Sequence, residues 1–336
     1  MGKRFYIQLS FLFLVLVLLF VVDILLGSVS VPFREMVKVF FSSEHSSIYY
    51  TIVHDFRLPK AFTAVLAGAA LSTCGLQMQT LFKNPLAGPF VLGINAGASL
   101  AVAIVLMGGG ITLFSVFKSA SILVFAALGA CTMLLLILLL AGKIRDNISL
   151  LLVGVMIGHL TSSVEGVLQY FSRAESLQSF VLWSLGSFSN VAWEKLFIIF
   201  PVIIAALLVA FLNSKSLNAL LMGENYAQTL GVNLARNRFL IILSSGTLAG
   251  TITAFCGPIA FIGMAVPHLA RGYIKTSDHR ILLPITALTG AALAVFCDIV
   301  SQSLLSNTVL PVNAITSLIG APLVIGFILK RKHLKA

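Results

Sequence analysis

Ten long apolar runs separated by short polar stretches dominate the chain. A bilayer-crossing helix needs about 17–25 apolar residues. On that length the pattern predicts helices near 7–27, 59–82, 91–108, 117–142 and 148–171, then near 194–212, 237–256, 258–275, 281–306 and 312–330. The third and eighth are short and interrupted by Gly and Pro. One polar stretch, 214–238, breaks the series. In it Leu217, Leu220, Leu221, Ala227 and Leu230 alternate with Asn218, Glu224, Asn225 and Gln228. That spacing predicts two short amphipathic helical turns, broken at Met222 and Gly223 and stopped by Gly231. Such a segment cannot span a membrane, because its backbone and polar groups need water or a partner. It is either a foot that touches another protein or an ordinary interfacial loop.

Composition agrees with a polytopic membrane protein: 59% of the 336 residues are hydrophobic and 10% charged, against about 25% charged in soluble domains. The net charge of +11 is therefore a matter of topology, and nucleic-acid binding is excluded by the absence of aromatic platforms between the basic residues. With the N-terminus inside, Arg34, Lys38, Arg57, Lys60, Lys118, Arg173 and Lys195 fall outside and the other fifteen of the 22 Lys and Arg fall inside. The positive-inside rule favours that orientation, with both termini and the 214–238 foot in the cytoplasm. Residues 1–30 mimic a signal peptide, but the apolar run continues through Leu26 without a cleavage site, so it is kept as a spanning helix. Cys74, Cys131, Cys256 and Cys297 lie in apolar runs and read as small buried hydrophobes.

Four of the seven outside basic residues sit in 28–60, with Arg57 and Lys60 flanking Leu58 and Pro59. They are either snorkelling anchors or a basic docking patch for an acidic partner. A short internal repeat joins Gly88-Pro89 through Gly93 with Gly257-Pro258 through Gly263. The two copies enter from opposite sides in this topology, as in an inverted-repeat transporter.

Asp23, His159, Glu165, His268 and Asp298 fall in or near the apolar runs; Asp23 and Asp298 lie towards outer helix ends and read as interfacial. The fifth helix is the most polar. Ser162, Ser163, Gly166, Gln169 and Tyr170 share a broad face with His159 at helical spacing, which either lines a substrate pathway or makes buried interhelical hydrogen bonds. Glu165 is turned about 120° away, so the two do not form a metal or proton pair; a His159 ligand to haem iron is a third reading. No H-E-x-x-H, G-x-S-x-G or G-x-x-x-x-G-K-[ST] is present, so any ATP chemistry needs a separate chain.

These residues carry a resemblance. Asn84-Pro85-Leu86-Ala87-Gly88-Pro89 continuing to Leu92-Gly93 resembles a segment of the permeases of type II ABC importers for iron–siderophores, haem and cobalamin. Arg57-Leu58-Pro59-Lys60, Trp183 to Ser187, Leu217 to Gly231, Gly257 to Gly263, Val266-Pro267-His268, Asp298 and Leu318 to Pro322 are similar in the same order. The resemblance implies a ten-helix all-α fold, a homodimer with its pathway on the two-fold axis, two cytoplasmic ATPase subunits and an external substrate-binding protein. It implies that Leu217, Asn218, Leu220, Gly223, Glu224, Ala227, Leu230 and Gly231 seat in the ATPase, and that Arg57 and Lys60 pair with acidic residues of the binding protein. The fifth helix and 176–187 would form the pathway wall and outer gate. No cofactor or metal is expected on this chain; ATP and Mg belong to the partner ATPase, in a bacterial cytoplasmic (inner) membrane. Gln302 stands where the cobalamin permease has a further basic docking residue, which favours a ferric chelate (siderophore or haem) over cobalamin. An ion-coupled secondary transporter, with cation dependence at Glu165, stays open as the alternative from another class.

Overall fold

The computed structural model describes residues 3–27, 29, 31, 32, 36, 39, 47–108, 118–144, 146–304 and 309–333; Arg34, Lys38 and Arg145 lie outside them, as do residues 305–308. Among the described residues the regular structure is all helical. In order, α1 is Lys3–Leu25, α2 Ile48–Leu81, α3 Ile94–Met107, α4 Lys118–Lys143, α5 Asn147–Tyr170 and α6 Ala174–Ser184. Then come α7 Trp193–Leu212, α8 Ser214–Leu221, α9 Glu224–Thr229, α10 Leu234–Cys256, α11 Ile262–Ile274, α12 His279–Ser303 and α13 Val312–His333. Seven of these are long and apolar enough to cross a membrane, and α3 and part of α13 are shorter apolar helices.

Local chemistry sets the boundaries. Asp146, Asn233 and Asp278 cap α5, α10 and α12, each side chain accepting a first-turn N–H, the usual remedy for orphan donors. The second helix starts eleven residues before Pro59. It opens through a wide π-helical turn, Thr51–Arg57, because Pro59 has no N–H to give and the wider turn absorbs the lost bond.

Helix α2 is the centre of the bundle and mostly buried. It runs antiparallel to α12 in constant register: Lys60 faces Asp298, Ser72 donates to the Thr286 carbonyl at 3.0 Å, and Thr80 meets His279. Between them Gly68 and Gly290 touch backbone to backbone, so that a methyl on either would overlap the other's carbonyl oxygen. Small residues permit this approach. Gly75 makes the same contact with Gly263 of α11.

The two Gly-Pro segments break helices and meet. Pro89–Leu92 is a 3-10 turn ending at Gly93 (φ 70°), and Gly257 (φ 76°) through Phe261 leads into α11. The Pro89 ring packs on Gly263, beside the Leu71 carbonyl. Broken backbone at such depth survives only where protein satisfies it. The segment is held by Gln79 donating to the Met264 carbonyl (3.2 Å) and by a 2.8 Å bond between His268 Nε2 and the Pro85 carbonyl. By contrast, α1 and α5 expose most of their surface. Cys74, Cys256 and Cys297 are buried, but Cys131 is exposed, because it lies on the outer side of the peripheral helix α4.

Candidate functional site

The foot is built by α8 and α9. Leu217, Leu220 and Ala227 are buried and join the main core, while Leu221, Met222, Tyr226 and Leu230 stand exposed. Gly223 (φ 113°) and Gly231 (φ 81°) bracket α9 in conformations that side chains resist. The amphipathic turns therefore form as the spacing predicts, but their inner stripe anchors the foot to its own chain. Leu217, Leu220 and Ala227 therefore act as anchors of the foot within this chain. The apolar residues available to a partner are Leu221, Met222, Tyr226 and Leu230. Of these only Leu230 is among the residues that the resemblance assigns to the ATPase seat; Leu221, Met222 and Tyr226 are not, because the break at Gly223 interrupts the helical repeat that would have joined them.

Two polar residues of the foot, Glu224 and Asn218, also turn inward, while Asn225 and Gln228 stay exposed. Glu224 accepts from Asn147 Nδ2 at 2.6 Å and lies 3.9 Å from Arg238; Asn147 also donates to the Leu81 carbonyl and Arg238 to that of Ile144. The Glu224 carboxylate thus ties α9 to the starts of α5 and α10. Cavities of about 770 and 580 Å³ lie on either side of it. Asn218 donates to Asp278 at 2.6 Å. Partial burial works against the Asp278 charge, yet the Arg280 N–H and the Asn218 amide hold its carboxyl below the ordinary value.

The fifth-helix face survives as a surface. His159, Ser162, Ser163, Gly166 and Tyr170 are exposed and Gln169 is half-buried; the Ser163 hydroxyl donates back to the His159 carbonyl. Glu165 is turned towards Ser99 of α3, away from His159. Below this face 176–187 is pinned: Ser187 N–H donates to the Cys256 carbonyl, and Asn313 N–H to that of Leu185.

The opposite end of α2 carries the two basic residues of the Arg57-Leu58-Pro59-Lys60 motif. Arg57 and Lys60 are both buried. The Arg57 guanidinium donates to the carbonyls of Ile24 (2.7 Å), Leu25 (3.1 Å) and Val29, closing the C-terminal end of α1. Gly27 permits it, because a methyl there would lie 2.7 Å from Arg57 Nη2. Lys60 Nζ is 2.8 Å from Asp298 and 4.0 Å from Asp23, and Gln302 Nε2 donates to both carboxylates. Asp23 and Asp298 are thus a buried pair sharing one cation, not two interfacial residues; burying each charge requires such partners. The same residues edge a cavity of about 250 Å³, lined by Gly27, Ile52, Phe56, Arg57, Lys60 and Gln302 among others.

A bundle of apolar helices with a buried helix at its centre, two broken segments meeting inside it and an amphipathic foot at one end defines a polytopic membrane permease. Its family is shown by comparison: the model of the FecCD transport family matches residues 15–331, and the chain belongs to that family. It is 34% identical over 328 residues to the hemin transport system permease protein HmuU of Yersinia pestis, covering 97% of this chain and 96% of that one. It is 37% identical over 285 residues to the vitamin B12 import system permease protein BtuC of Serratia proteamaculans, covering 84% and 83%. A solved structure described as an inward-facing conformation of a metal-chelate type ABC transporter matches with a TM-score of 0.84 at 30% identity, covering 96% of this chain and 98% of that one. The chain therefore has the type II ABC importer permease fold and is a multi-pass membrane protein.

Proposed function

We propose that this chain is the permease subunit of an ATP-driven importer that takes a ferric chelate, siderophore or haem, from an external binding protein across the bacterial cytoplasmic membrane. It acts as a homodimer with both termini in the cytoplasm. Two cytoplasmic ATPase subunits, which hold the ATP and Mg, seat on the foot; this chain contributes no cofactor and no catalytic group. The observation that carries the reading is the foot itself: Leu221, Met222, Tyr226 and Leu230 are exposed on a segment whose other side is locked into the core. Exposed apolar groups on a segment too polar to enter lipid mark a protein contact. The exposed face from His159 to Tyr170, on a helix that uses little of its surface within its own chain, suits a pathway shared with a second copy. At the other end, an acidic side chain of the binding protein docks at the 250 Å³ cavity, competing with Asp298 for Lys60. A cobalamin cargo is the second reading, favoured by the identity to the vitamin B12 permease.

The test is ATP turnover by this permease with its ATPase in nanodiscs, with the binding protein empty or loaded with haem, a ferric siderophore or cobalamin. Stimulation by one loaded form names the cargo. Uptake by the chain alone, without an ATPase, sinks the importer reading and favours an ion-coupled transporter working through Glu165.

A further inference from the structure

Polar side chains at the foot end of α2 and α12 form one continuous chain of bonds. Asn218 of α8 donates from Nδ2 to Asp278 at 2.6 Å, and its Oδ1 lies 2.7 Å from the backbone N and 2.8 Å from Nδ1 of His279. The orientation of this amide follows from chemistry: only its NH2 can face a carboxylate, and only its oxygen can accept two N–H groups. His279 consequently carries its proton on Nδ1. Its Nε2 is left as an acceptor facing the Thr80 hydroxyl, 2.9 Å away on α2, whose one proton is shared with the Leu76 carbonyl, also at 2.9 Å. Asn218 thus caps α12 from a different helix, and the foot is bonded through α12 to α2 in a single layer.

What that layer grips has no slack. The α2–α12 pair keeps one register from Thr80 and His279, past the Gly68–Gly290 backbone contact, to Lys60 and Asp298. At 1.5 Å per residue the two ends of this rod are about 30 Å apart. Backbones in direct contact leave no layer of side chains between the helices to repack, so a displacement at the foot is passed along the pair.

We propose that Asn218 and His279 are positioning residues that transmit movement of the foot to the α2–α12 rod, and through it to the Lys60–Asp298 pair at the binding-protein end. This rests on the importer reading above. Asn218 is then a transmission contact inside the permease, where the resemblance makes it an ATPase contact.

An exchange of groups tests it, in nanodiscs with the ATPase and whichever loaded binding protein stimulates the unaltered complex. The quantity read is the ratio of stimulated to unstimulated turnover. Asn218→Asp sets a second carboxylate against Asp278 and lowers the ratio by about tenfold, within the range of one coupling contact. Adding Asp278→Asn removes that repulsion and recovers part of the lost ratio, but not all of it: the Asp278 Oδ1 that meets Asn218 also accepts from the Arg280 N–H, and an amide nitrogen in its place cannot. An unchanged ratio in N218D, or a double variant as impaired as the single one while both hold the ATPase, overturns the proposal. If N218D does not assemble, Asn218→Ala removes the same bonds without adding charge: a tenfold loss supports transmission and an unchanged ratio overturns it. Failure of the unaltered chain to respond to any binding protein defeats the importer reading instead, and is visible before any substitution is made.

Discussion

Lys60→Met removes the cation between two buried carboxylates. The side chains involved are 8% (Lys60), 0% (Asp23) and 3% (Asp298) exposed, so water does not take over when the ammonium leaves. The bonds from Gln302 to Asp23 (3.1 Å) and Asp298 (3.0 Å) exist before and after and do not alter the difference. Stripping one partner from a buried ion pair costs about 3–5 kcal/mol. For a chain of 336 residues, at about 2.1 cal/mol/K of unfolding entropy per residue, that corresponds to a melting temperature lower by roughly 4–7 °C. Thermal unfolding of the purified permease can be followed with a thiol-reactive dye, because Cys74, Cys256 and Cys297 become accessible only on opening; Cys131 sets a constant background. Adding Asp298→Asn should recover more than half the loss, since the amide carries no charge and still meets Gln302. Melting unchanged in K60M, or lower still in K60M/D298N, would refute the view that this group is held together by its charges.

Three further outcomes follow from the geometry. Gly290→Leu forces a side chain into the Gly68 carbonyl and Ser72 and should cost about 3 kcal/mol or more, the upper range of overpacking; Gly272→Ala, in open space, serves as the neutral control in the same melting assay. Met222→Glu and Tyr226→Glu should each weaken copurification with the ATPase by about 2 kcal/mol, the scale of an interface anchor, while leaving the melting temperature unchanged. Asp278 titrates below its ordinary value in the folded chain, so its contribution to stability is present above that ordinary value and is lost as pH falls through the folded one. Asp278→Asn should flatten the acid limb of a stability–pH curve, and an unaltered limb would exclude Asp278 as its source.

Much of this molecule is legible in its hydrophobic pattern. The apolar runs and the amphipathic foot follow from periodicities of a single helix, which a sequence displays directly. The direction of side chains within the foot is less accessible: Leu217 and Leu221 are equally apolar, and only the packing of α8 on the bundle decides that the first is buried and the second exposed. Pairings between distant helices are hidden altogether. Asp23 and Gln302 are 279 positions apart, and no local rule joins them or shows that Lys60 lies between Asp23 and Asp298. The motif residues Arg57 and Lys60 are easily found, but their burial is a property of the register between α1, α2 and α12. The start of α2 is hidden for a local reason: Pro59 reads as a helix beginning, whereas the helix starts at Ile48 and the wide turn ahead of the proline leaves no simple signature.

The distance between Asp23 and Gln302 also has a consequence for biogenesis. At about 5–20 residues per second, roughly 15–55 s pass between synthesis of the first helix and arrival of α12, the helix that α1 packs against most extensively. Through that interval α1 carries Asp23 near its end without the Gln302 amide that bonds it in the finished fold. The first helix must therefore lodge in the lipid as a provisional lodger, and a chain truncated before α12 would present it to quality control with its final partner missing.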